Sequence, residues 1–153
     1  MFKQINLNYD FKSLEPHIDE LTMITHYTKH HAAYTSNLNT ALEKLPELSN
    51  LSIEDLLKDL SKISDESLRN TIRNNGGGFY NHNLYFTTLQ PGGSNQPEGD
   101  LAKQIEGDFG DFSSLKEKLT AAASRFGSGW AWLSADSQGN LKISSTPNQD
   151  NPI

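Results

Sequence analysis

Residues 73–86 read RNNGGGFYNHNLYF, and the fold turns on whether the glycines at 76–78 end a helix or lie inside one. A glycine in a helix interior costs about 1 kcal/mol relative to alanine, so propensity alone predicts a break. The apolar pattern argues the other way, because FYNHNLYFTTL at 79–89 resumes a helix-compatible spacing. The reading is one long helix that begins near Ser64, with glycines that let another element approach closely.

A second long helix is read upstream, over Asp19–Leu45. Helix formers dominate it, no Gly or Pro interrupts it, and Pro46 closes it. At 100° per residue His26, His30, Ala33, Tyr34 and Asn37 share one stripe, with Tyr27 and His31 to one side. Between the two long helices, Ser52 followed by Asp55 marks the cap of a shorter one. The first 15 or so residues read as extended, up to Pro16.

QPGGSNQPEGD, 90–100, is the clearest connector. It divides the chain into an N-terminal domain, 1–90, and a C-terminal domain, 91–153. In the second, DLAKQIEGDFG and SSLKEKLTAAASRFG read as helices, the latter capped by Ser113 or Ser114 and terminated by Gly127. The period then changes from helical to alternating. GWAWLSAD and LKISST flank a glycine-containing turn, a β-hairpin. A lone hairpin needs a third strand or a covering helix, and the closing NQDNPI offers neither.

At 153 residues, with 35% hydrophobic and 21% charged content, the chain has the composition of an ordinary globular protein. A net charge of -6 argues against a nucleic-acid surface or an anionic membrane as partner. There is no cysteine, which excludes disulfides, thiolate metal sites and cysteine nucleophiles. Any metal must be held by nitrogen and oxygen. MFKQINLNYDF does not read as a signal peptide and no apolar run reaches the ~18 residues of a membrane span, so a cytoplasmic protein is expected.

Four histidines fall in two fragments, HYTKHHAAY at 26–34 and NHNLYF at 81–86. A bare HxxxH pair, His26 and His30, favours ordinary packing over ligation, and His17, His31 and His82 each fit a structural role alone. Tyr34, Tyr80, Tyr85, Phe86, Trp130 and Trp132 equally fit a core, and Asn81 and Gln149 fit backbone capping. Composition and spacing therefore reach an α+β protein with a histidine metal site and histidine packing both open.

Four fragments carry more. LEPHID through HYTKHHAAYTSNLNTAL, RNNGGGFYNHNLYF, DFGDFSSLKEKLTAAASRFGSGWAWL and STPNQDNP resemble, in order and spacing, the iron/manganese superoxide dismutase family. The resemblance covers nearly the whole chain. It implies an N-terminal long α-helical hairpin domain followed by a C-terminal α/β domain with a small antiparallel sheet, and a metal that cycles to convert superoxide to dioxygen and hydrogen peroxide. It implies manganese, with iron as the alternative, and a homodimer or homotetramer of the full-length parent.

By the same resemblance His26 and His82 are metal ligands. His30 and Tyr34 form the gateway of the substrate channel, with Tyr34 in a proton-delivering chain and Lys29 near the funnel. Trp130 and Trp132 form an aromatic wall. Gln149 hydrogen-bonds solvent at the metal, and Gly78 leaves room for it, which is the manganese-type pattern. Two positions depart from the family's usual residues: Phe86 stands for a tryptophan and Tyr27 for a histidine. The family's D-x-W-E-H motif, with its aspartate and third histidine ligands, is not in the chain. A C-terminally truncated member with two of four ligands is thus expected. Two alternatives stand beside the enzyme: a non-catalytic member acting as a binding or structural protein, and a helical metal-binding protein using His26 and His30 together.

Overall fold

The computed structural model describes residues 1–153. They form two compact units, Met1–Gly92 with Ile153, and Gly93–Pro152. In the first, the leading arm of a helical hairpin begins as α1 (Glu20–Thr25), passes through one π-helical turn (His26–His31) and continues as α2 (Ala32–Leu42). A short helix, α3 (Ile53–Lys58), lies in the link, and the returning arm is α4 (Glu66–Thr88). The three glycines are inside α4 and all buried.

Side-chain oxygens open these helices by accepting backbone N–H groups that have no intrahelical partner. Asp19 accepts from Thr22 at 2.8 Å, Ser52 from Asp55 at 3.0 Å and Asp65 from Leu68 at 3.0 Å. Asp65 sets the start of α4 at Glu66, two residues beyond the Ser64 that the sequence suggests. The leading arm is helical across most of 19–45, ending at Leu42, but it is not one uniform α-helix.

The arms run antiparallel. Leu38 lies beside Gly76, the Tyr34 ring beside Gly78, and the His26 ring beside His82. Leu38, Ala41, Leu42, Ile53, Leu56, Ile63, Ile72 and Phe79 make one core cluster between them. Burial of each large apolar side chain contributes about 1.5–3 kcal/mol. A second cluster, Leu14, Met23 and Phe86, closes the other end of the hairpin.

Residues 1–10 form a strap without regular structure, followed by a single 3-10 turn at Phe11–Leu14. Hydrogen bonds fasten the strap to both arms. Phe2 N–H donates to Asn39 Oδ1 at 2.8 Å, and Asn39 Nδ2 donates to the Phe2 carbonyl at 2.9 Å. Gln4 donates to the Tyr27 carbonyl at 2.9 Å, and the Tyr9 hydroxyl to the Phe86 carbonyl at 3.1 Å.

The second unit contains α5 (Gly99–Phe109), α6 (Phe112–Ala123) and an antiparallel hairpin of β1 (Gly129–Ala135) and β2 (Leu141–Pro147), with Trp132 opposite Ser144. The cap of α6 is Asp111, not Ser113 or Ser114. Its carboxylate accepts the Ser114 N–H at 2.7 Å, and a negative group is favoured at a helix N-terminus. Helix α6 ends at Ala123, ahead of Gly127, which sits in the following loop at φ +85. The hairpin's cover comes from preceding sequence: α6 packs on both strands. Asp108 in α5 accepts the Leu141 N–H at 2.6 Å, tying the second strand to the helix.

A Cβ at position 78 would lie 2.5 Å from Tyr34 ring atoms, whereas one at 76 would meet the mobile end of Leu57 at 3.2 Å. Gly78→Ala should therefore destabilise the fold by about 1–3 kcal/mol, although alanine is the better helix former by about 1 kcal/mol. In a Tyr34→Ala background the cost of Gly78→Ala should largely disappear. Urea unfolding of the two single variants and the double variant measures this coupling.

Candidate metal centre

His26 opens the π turn of the leading arm, and His82 lies on α4 one turn after Gly78. Their ring centroids are 4.8 Å apart, edge to face at 83°. His82 is buried, and its Nδ1 is 2.7 Å from the Gly78 carbonyl. A carbonyl only accepts, so Nδ1 carries the proton and Nε2 is the basic nitrogen. This is the arrangement that orients a metal-binding imidazole and raises its basicity.

Aromatic rings surround the pair. Phe86 and Tyr85 lie 5.1 and 5.3 Å from His26, and Tyr34 lies 5.1 Å from His82. Burial among them disfavours the imidazolium. It lowers the His82 pKa from 6.5 to about 4, against the opposing Gly78 hydrogen bond. Burial also lowers His26, with a further contribution from His30, and lowers His31. The imidazoles are thereby neutral near pH 7, the form that binds metal.

The other expected site residues are placed differently. His30 is exposed, with its ring 6.0 Å from His26. The π turn is the reason. It widens the helix, so residue 31, five positions on from His26, comes round to face α4 in place of residue 30. His31, expected to one side, is fully buried against His82. The space beside Gly78 holds the Tyr34 ring. His17 is exposed.

Gln149 belongs to the second unit. Its Oε1 accepts from Trp130 Nε1 at 3.1 Å, while Trp132 Nε1 donates to Thr146 Oγ1 at 2.8 Å. The two indoles share a face of β1, 6.0 Å apart. Asn83 carried no role in the sequence reading, yet its Oδ1 accepts from both Ile5 N–H and His31 Nε2. Its only signal was an asparagine in a helix interior, where the residue is disfavoured unless its side chain has a task.

Two neutral imidazoles, one pinned by a carbonyl, fit the nitrogen share of a manganese or iron site. Residues 1–153 place no group of three or more histidine or carboxylate side chains together for a metal ion, so His26 and His82 stand as a pair.

The arrangement is that of a helical hairpin carrying two paired imidazoles, and comparison with known proteins places it. The family model for the α-hairpin domain of iron/manganese superoxide dismutases matches residues 1–90, and that for their C-terminal domain matches 97–153. A manganese superoxide dismutase of Thermus thermophilus is 52% identical over 153 residues, 99% of this chain and 74% of the relative. One from Yersinia enterocolitica is 50% identical over 149 residues, 97% of this chain and 70% of the relative. The chain belongs to the iron/manganese superoxide dismutase family. No helix is long and apolar enough to cross a membrane.

The depressed histidines make stability depend on acid. Unfolded His82 takes up a proton near pH 6.5, while the folded residue stays neutral down to about 4. Stability present above pH 6.5 is therefore lost progressively as pH falls toward 4, by roughly 3 kcal/mol from His82 at 1.36 kcal/mol per pKa unit. Asp19, Asp111 and Asp136 have pKa values lowered below 3.8, so their contribution is lost at lower pH. Denaturant unfolding at pH 7.0 and 4.5 should show this loss, and His82→Gln should flatten it.

Proposed function

We propose that the protein dismutes superoxide at a manganese centre, with His26 and His82 as two of the metal's ligands. The observation that carries this reading is the 4.8 Å pairing of the two rings, with His82 Nδ1 held by the Gly78 carbonyl at 2.7 Å. Bound manganese would supply a one-electron couple between +3 and +2, by which one superoxide would give up an electron and leave as dioxygen and a second would take up that electron with two protons and leave as hydrogen peroxide.

The chain's own residues bind, dry and protonate. The Gly78 carbonyl fixes the His82 tautomer, so that the imidazole offers Nε2. Phe86 and Tyr85 beside His26 limit water and hold the local dielectric low, which strengthens the pull of the site on an anion. Tyr34, half-buried over Gly78 and next to His82, is placed to relay a proton. His30 and Lys29, both exposed, stand outside it as gateway and local positive charge. The reading takes the protein as a cytoplasmic homodimer or homotetramer.

Metal analysis and turnover divide these roles. His26→Ala and His82→Ala should each lower retained manganese at least about tenfold, since each removes a ligand nitrogen. Tyr34→Phe and His30→Gln should keep the metal and change turnover and its pH profile. Full manganese in either ligand variant would sink the assignment.

A further inference from the structure

We propose that His31 and Asn83 are positioning residues that set the spacing between His26 and His82. This rests on the reading of those two histidines as ligands. The His31 side chain is wholly buried, with 0% exposure. Its ring stacks on His82 at 5.7 Å and 18°, and on Phe86 at 5.8 Å and 24°. Its Nε2–H donates to Asn83 Oδ1 at 2.8 Å, and the same oxygen accepts the Ile5 N–H at 3.1 Å.

The residue type is informative because it is costly. His31 Nδ1 is buried with no hydrogen-bond partner, and such an atom lowers stability. A phenylalanine would stack on His82 and Phe86 without that loss. What only the imidazole provides is the Nε2–H to Asn83. Through this bond one oxygen joins three segments: the strap at Ile5, the π turn at His31 and α4 at Asn83.

Each junction is next to a ligand. Asn83 follows His82 on α4, and His31 closes the turn that His26 opens. The joint therefore holds α4 in rotation at residue 82 and holds the π turn in register, so that both ligand rings face each other. Partners of this kind around a metal are typically worth about 10- to 100-fold in affinity.

The test uses the 153-residue chain with two independent measurements. The first is the NMR cross-relaxation between His26 and His82 ring protons, which needs no metal. The second is the affinity for Co(II), titrated alone and followed by its visible absorption. His31→Phe should keep or raise the melting temperature, reduce the ring-to-ring signal at least about twofold, and weaken Co(II) about tenfold. His31→Gln, which can still donate to Asn83, should restore both. Asn83→Leu should behave as His31→Phe does, and Asn83→Asp, which keeps the acceptor oxygen, as wild type. Unchanged ring proximity and Co(II) affinity in His31→Phe and Asn83→Leu would overturn the proposal, as would failure of both conservative variants. If His26→Ala and His82→Ala bind Co(II) like wild type while the ring signal responds as stated, the ligand reading fails and the positioning role stands.

Discussion

The close approach of two helical arms at a run of glycines is the constraint on which the first unit depends. With no Cβ at position 78, the Tyr34 ring lies directly on the α4 backbone. That contact brings the leading arm near enough for the His26 ring to reach His82. The same glycine contributes its carbonyl to His82 Nδ1. One backbone position thus governs both how near the leading arm comes to α4 and which His82 nitrogen carries the proton. The propensity given up by three helical glycines is offset by apolar burial along Leu38, Ile72 and Phe79.

The π turn is the second determinant, and it acts on chemistry rather than on stability. A regular α-helix would align His26 with His30. The extra residue accommodated in the turn instead brings His31 inward and leaves His30 exposed. The crowd of histidines is thereby separated by environment. His26 and His82 share an aromatic surround that keeps them neutral, His31 is wedged against His82, and His30 faces solvent. Side chains of identical chemistry acquire different roles because burial, not residue type, sets their protonation and reach.

Much of the architecture was legible from periodicity and punctuation. The helix through the glycines, the cap at Ser52 and the hairpin around Gly139 all appear where the residues indicate. The α6 cap was misplaced because Asp111 outcompetes the neighbouring serines through its charge. The hairpin's cover was missed because it lies before the strands, in α6, rather than after them. At the site, His26, His82 and Tyr34 were singled out by the resemblance, and the structure brings their rings together, while their roles belong to the proposal. His30's outward position and Asn83's role were not found, because both depend on the width of a single helical turn.

By itself the sequence determined which donors exist, nitrogen and oxygen without sulfur, and in what order the elements carrying them occur. Those are properties of composition and local spacing, and no later packing alters them. Only the tertiary structure decided which histidines meet, which nitrogen of His82 is offered, and that an asparagine holds the strap, the turn and α4 together. Such outcomes follow from contacts between residues 52 and 78 positions apart, where a shift of one residue in a helical turn exchanges the buried side chain for the exposed one.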